Sequence, residues 1–267
     1  MVRLAFVRKA GRTRLAGLHQ QAPLRALFPK HPSDDLPMAA LVNVGGGLVA
    51  GDRCVVEVTV GEGAAAAVTS QAAEKVYRST GPDTAVETRL TVAAGGWLEW
   101  CPQETILFDR ARLRRRLRLE LAGDARGAML GEMLVLGRLA SGERARSGLL
   151  FDRIEVWRDG ELAWLDRLRL EGAFGPVLDA AAGLDGNGAL ATFVHAAPDA
   201  GDRLERAREL LEAPGVRAGA TLVNGLLVVR WLAADPLALR RAFALFWAGF
   251  RAGAAGLPPV TPRLWHV

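Results

Sequence analysis

Between about residues 40 and 195, apolar and polar side chains alternate along the chain, the period-two pattern of strands that bury one face. In CVVEVTV, Val56, Val58 and Val60 share one side while Glu57 and Thr59 point to the other. The run RARLRRRLRLEL alternates too: Arg110, Arg112, Arg114, Arg116 and Arg118 fall on one side, Ala111, Leu113, Leu117 and Leu119 on the other. Read at period two, this is a strand with a solvated cationic face. In RIEVWRDGELAWLDRL, Asp159-Gly160 separates two alternating runs, a strong hairpin signal because both turn positions favour φ > 0.

After residue 195 the pattern changes. DAGDRLERARELLEAPG carries Leu204, Ala207, Leu210 and Leu211 at helical spacing before a Pro-Gly stop, and GATLVNGLLVVRWLA returns to strand. DPLALRRAFALFWAGFRAG then opens a second helix, with Asp235 placed to cap it and Pro236 at its first position. A faint repeat aligns Thr59, Val60, Gly63 and Gln71 with Thr91, Val92, Gly95 and Gln103, and a weaker third copy begins near Gly127. Strand units of fixed period stack on their neighbours to bury a face that each alone leaves open. The expectation is a mainly β chain of layered or solenoid-like sheets with about two α-helices toward the C-terminus. Residues 1–267 read as one unit, with a β-rich body over about 40–195 and a helix-strand-helix portion over about 196–267.

The glycine-rich segment LVNVGGGLVAGDRC tests for phosphate chemistry. Gly45-x-Gly47-x-x-Ala50 has the spacing of a dinucleotide fingerprint, but that motif requires a helix next, and GDRCVVEVTV alternates as a strand. Gly46 and Gly51 begin like a P-loop, yet Asp52-Arg53 stands where Lys-Ser/Thr is needed. The reading that remains is a structural turn at Gly45, Gly46, Gly47 and Gly51 that brings backbones close together.

Composition alters this picture little. Half of the 267 residues are hydrophobic, enough to bury a sizeable core. The formal net charge of +5, mostly arginine, bears on solubility and association and does not favour nucleic acid. The N-terminus lacks a signal-peptide pattern and no stretch has membrane-spanning length, so a cytoplasmic location with no membrane partner is expected. His19, His31, His195 and His266 are scattered, and Cys54 and Cys101 form no CxxC, so a tight soft-metal site within the chain is not expected. Ser70 is a conceivable nucleophile without an evident local base. Asp52, Glu74, Glu104, Asp109, Glu132 and Glu143 lie in or beside apolar strand segments. They either pair with arginine or line a wet interior passage, offering labile oxygen ligands to a divalent cation in transit.

The blocks LVNVGGGLVAGDRC, VTSQAAEKVYRS, CPQETILFDRAR, LGRLASGERA and LPPVTPRLW together resemble the UreD family of urease accessory proteins, called UreH in some bacteria. They stand in family order and cover nearly the whole chain. The resemblance implies a non-enzymatic chaperone that binds UreF, through it the GTPase UreG, and apo-urease. It implies no tightly bound cofactor, only nickel in transit through an internal tunnel. Carried over by motif position, Asp52, Glu74, Lys75 and Glu104 are tunnel-lining or structural polar positions, with Glu132 and Glu143 as further transit candidates. Phe243, Leu245, Phe246, Trp247 and Phe250 on the last helix either pack in the core or face a partner such as UreF; Phe243, Phe246, Trp247 and Phe250 are the interface candidates. Two other functions stay open: a generic β-rich protein-binding scaffold without a metal role, and a hydrolase built on Ser70 or a carboxylate pair.

Overall fold

The computed structural model describes residues 1–30 and 32–266; His31 and the His266 side chain lie outside that description. The strands are β1 (Val2–Lys9), β2 (Arg12–Gln20), β3 (Leu24–Leu27), β4 (Met38–Asn43), β5 (Arg53–Val60), β6 (Ala65–Ser70), β7 (Glu74–Val76), β8 (Thr84–Val92) and β9 (Trp97–Cys101). They continue as β10 (Thr105–Leu107), β11 (Arg112–Leu121), β12 (Gly127–Leu136), β13 (Ser147–Arg158), β14 (Glu161–Ala173), β15 (Ala189–Ala196), β16 (Val216–Val223) and β17 (Leu226–Ala233). The helices are α1 (Gly175–Asp179), α2 (Leu204–Glu209) and α3 (Pro236–Ala255).

The chain winds between two sheets. β5, β8, β11 and β13 run parallel in the first sheet, and β6, β9 and β12 run parallel in the second. Each turn of the winding therefore adds one strand to each sheet. The 32-residue repeat is this turn: Thr59 pairs with Thr91 and Val60 with Val92, while Ala65 pairs with Trp97. The corners stack as well, with the Gly63 N–H donating to Ala94 O and the Gly95 N–H to Asp124 O. The third turn is shorter, since Leu121 pairs with Val92 and Gly127 with Trp97, which explains the weaker third copy. Antiparallel pairs close both sheets: β1 with β2 and β13 with β14 in the first, and β15, β17 and β16 beyond β12 in the second.

The strand region begins earlier than the expected residue 40. β1 joins β5 in parallel, and Val2, Leu4 and Phe6 are buried between the sheets. The Asp159-Gly160 hairpin forms with φ of 50° and 80°. A second such turn, Asn224-Gly225 with φ of 48° and 74°, splits the last strand region into β16 and β17. On β11 the leucines point inward, while outer arginines pair with carboxylates: Arg112 and Arg114 hold Asp83 at 2.6 Å each, and Arg116 holds Glu155 at 2.8 Å. Arg110 precedes the strand in a turn with φ of 62°.

One core fills the space between the sheets and a second lies between the second sheet and α3. β12 separates them and is buried along its whole length. Gly131 on β12 permits the close approach of α3, because a Cβ there would sit 2.5 Å from Phe243 Cζ. Asp235 caps α3 by accepting from the Leu237 N–H at 2.9 Å, with Pro236 in the first turn. Phe243, Phe246, Trp247 and Phe250, named above as interface candidates, are at most 1% exposed within the chain. Their helical spacing puts all four on the face toward β15 and β17, where Phe193 meets the Phe246 and Phe250 rings edge-on at 5.0 and 5.1 Å. The correction is that these aromatics form the chain's own core; Leu245, on the opposite face, is 73% exposed.

Candidate functional site

A cavity of about 340 Å³ opens between the sheets, and Glu74 and Glu132 both line it. The glycine turn forms part of its rim. Gly46, Gly47 and Gly51 have φ of 76°, 144° and 82°, and no helix follows them. A Cβ on Gly47 would lie 2.5 Å from Tyr77 Cε2 and 2.9 Å from Lys75 O, so only glycine lets the turn lie against β7. Leu48 N–H donates to Lys75 O at 2.7 Å, and Tyr77 O–H donates to Gly46 O at 3.1 Å. Asp52 closes the turn, accepting from the Val49 N–H at 2.9 Å.

That turn fixes the carboxylate behind it. Asn43 Nδ2 donates to Gly47 O at 3.2 Å and to both oxygens of Glu74 at 3.1 Å. Burial pushes the Glu74 carboxyl above its ordinary range, and the Asn43 amide only partly opposes this. Lys75, the next residue, is exposed. Cys54 also lines the cavity, and burial, with the Glu74 charge adding to it, pushes its thiol up to about 11. At neutral pH it is a protonated thiol, a poor metal ligand.

Deeper in, Glu132 on β12 accepts from Trp100 Nε1 at 2.7 Å and from Arg115 Nη1 at 2.7 Å. Arg115 also donates to Thr105 Oγ1 at 3.1 Å and grips Asp152 with Nε and Nη2 at 2.8 and 2.6 Å. The fork is built by register, because Arg115 on β11 and Asp152 on β13 are direct parallel partners. Burial works against the charge of Arg115, but Asp152 and Glu132 outweigh it and raise the guanidinium pKa further. Burial pushes the Glu132 carboxyl up, opposed by Arg115 and the Trp100 N–H. Beyond this group a smaller cavity of about 30 Å³ is lined by Asp152 and Asp166.

The other carboxylates singled out in the sequence lie elsewhere. Glu104 holds Arg240 at 3.1 Å and borders an outer groove of about 580 Å³ beside the start of α3. Glu143 pairs with Arg138 and accepts from the Asp109 N–H at 3.1 Å; Asp109 accepts from the Arg146 and Ser147 N–H groups. These three, with Asp52, serve turns and ion pairs outside the intersheet cavities. Ser70 Oγ donates to Ala72 O at 3.0 Å and accepts from the Gln103 N–H at 2.8 Å, so its proton goes to a carbonyl that cannot act as a base. Among the described residues, no group of three or more His, Cys, Asp or Glu side chains is placed to hold a metal ion, and no helix is long and apolar enough to cross a membrane.

Arg115, Asp152 and Asp166 escaped the sequence reading. The signal for Arg115 was present, since at period two it occupies the leucine side of β11, between Leu113 and Leu117. Asp152 and Asp166 carry no such mark; only strand pairing brings them to the cavity.

Fold and site define a wound, two-sheet β-scaffold with a polar interior in which carboxylates are held by amide and guanidinium partners. The chain belongs to the UreD family of urease accessory proteins, whose family model, described as UreD urease accessory protein, matches residues 1–266. It is 43% identical to a urease accessory protein UreD of Magnetococcus marinus, over 100% of this chain and 93% of that one. It is 46% identical to the UreD of Methylobacterium sp. (strain 4-46), over 96% and 90% of the two chains. With the UreD of Xanthobacter autotrophicus the identity is 44%, over 99% and 88%. The match takes in the N-terminal strands as well as the glycine turn.

Proposed function

We propose that this chain is a urease maturation chaperone that docks on apo-urease and, with UreF and the GTPase UreG, passes nickel toward the urease active site through the space between its sheets. Family membership supports the urease role. The observation that carries the nickel step is the file of carboxylates Glu74, Glu132, Asp152 and Asp166 along two neighbouring intersheet cavities. Each offers hard oxygen, and each is already engaged, Glu74 by a neutral amide, Glu132 and Asp152 by the Arg115 guanidinium, and Asp166 by Arg230 at 2.8 Å. A cation must compete with that partner, and at Glu74 and Glu132, whose carboxyls burial pushes up, with a proton as well, so it is held weakly and released readily. Nickel is cargo in this scheme, not a resident cofactor.

The test is co-expression with UreF, UreG and apo-urease, followed by sizing of the soluble complex and urease activation at limiting nickel. Glu74→Gln keeps the shape of the side chain and its contact with Asn43. It is expected to leave assembly intact and lower activation, while Glu143→Gln, outside the cavity, leaves activation unchanged. Assembly without any effect of Glu74→Gln on activation would favour a protein-binding scaffold with no metal role.

A further inference from the structure

The two intersheet cavities meet at one ion-paired group, since Arg115 and Glu132 line both. Arg115 is 8% exposed, and its fork spans from Glu132 on one side to Asp152 on the other. The smaller cavity has room for about one water molecule. A path from Glu74 to Asp166 between the sheets therefore runs past this guanidinium.

Arginine does not release its proton in a protein. With Glu132 and Asp152 ionised, the group carries two negative charges and one fixed positive charge. A monovalent cation that takes a carboxylate from Arg115 replaces like with like and leaves a buried guanidinium short of a partner, which is costly. A dication attracts the carboxylate more strongly and can draw it away. Once there, it faces the guanidinium at close range in a site screened little by water, so the same charge that admits it selectively also pushes it on.

We propose that Arg115 is the specificity-determining residue of the passage, a fixed charge in the place a cation would take between Glu132 and Asp152, which yields to a dication and keeps it from settling. This rests on the nickel-transit reading above. Without Arg115 the two carboxylates become a trap in which a dication is fully neutralised and stays.

The experiment uses the chain co-purified with UreF, wild type and Arg115→Met, loaded with nickel ion alone, desalted, and followed for nickel content over time. Arg115→Met is expected to release nickel at least about tenfold more slowly, as removal of a close like charge in a buried site requires. In the full urease system it lowers activation at limiting nickel and recovers at excess nickel, which a merely structural defect would not do. A folded, assembled Arg115→Met complex that releases nickel as fast as wild type overturns the proposal. Where Arg115→Met does not assemble, Arg115→Lys serves, because a point charge cannot hold both carboxylates as the fork does. Nickel release slower than wild type is expected from it, and wild-type release from a folded complex overturns the proposal. Failure of the transit reading itself shows separately, as unchanged activation in both Glu74→Gln and Glu132→Gln.

Discussion

Arg251 Nε donates to both carboxylate oxygens of Glu99, at 2.9 and 2.8 Å, joining the last turns of α3 to β9 across 152 residues of chain. Both side chains are at most 4% exposed. The same guanidinium pairs with Asp35 and donates to Pro258 O at 2.9 Å, so one arginine ties α3, the second sheet, the segment before β4 and the C-terminal tail together.

Removing one partner of a buried pair leaves an uncompensated charge, which costs about 3–5 kcal/mol. Arg251→Met is therefore expected to destabilise the chain by that amount in denaturant unfolding. Arg251→Met combined with Glu99→Gln is expected to recover part of the loss, because Glu99 no longer carries a stranded charge while Asp35 still does. A single variant within about 1 kcal/mol of wild type would show that the pair contributes little beyond an exposed one.

The glycine turn gives a contrast between neighbours. Gly47→Ala places a Cβ against Tyr77 and the Lys75 carbonyl at a positive φ, and is expected to cost more than the ~1–3 kcal/mol of backbone strain alone. Gly46→Ala meets nothing within 4 Å and carries only the strain of its φ of 76°. The thermal midpoints of the two variants check the order; equal losses would mean that the approach to β7 is not what demands glycine.

Glu74 gives the pH dependence. Burial raises its folded pKa above the ordinary 4.5, against the opposing hydrogen bond from Asn43. Between 4.5 and that raised value the native state binds more protons than the unfolded one, so stability falls as pH rises through the window. Above the window the full penalty of the buried charge is present. Glu74→Gln removes it, and the variant is expected to melt higher than wild type at about pH 8, with the advantage fading as pH drops through the carboxylate range. A constant difference at all pH values would assign the effect to packing instead.

The outer carboxylates and the inner ones look alike in sequence, and this is why only part of the site was legible. Glu104 and Glu132 both sit in apolar strand context, yet one pairs with Arg240 beside an outer groove and the other faces Arg115 between the sheets. The alternation that marks a strand says which residues share a side, not which sheet covers that side. The last helix shows the same limit: its spacing gathers Phe243, Phe246, Trp247 and Phe250 on one face, but only contact with β15 and β17 shows that this face is covered by the chain itself.

What the sequence alone determined was local or periodic: the alternating strands, the Asp159-Gly160 turn, the cap of α3 and the 32-residue winding. Each follows from backbone preference or from a side-chain period that acts within one turn of the winding. The tertiary structure alone decided which charges meet. Arg115 finds Asp152 through parallel register and Glu132 across the gap between sheets, and Arg251 finds Glu99 when α3 packs on the second sheet. Those pairings arise from strands and helices far apart in the chain, where the stacking of layers, not local spacing, sets the distance between charges.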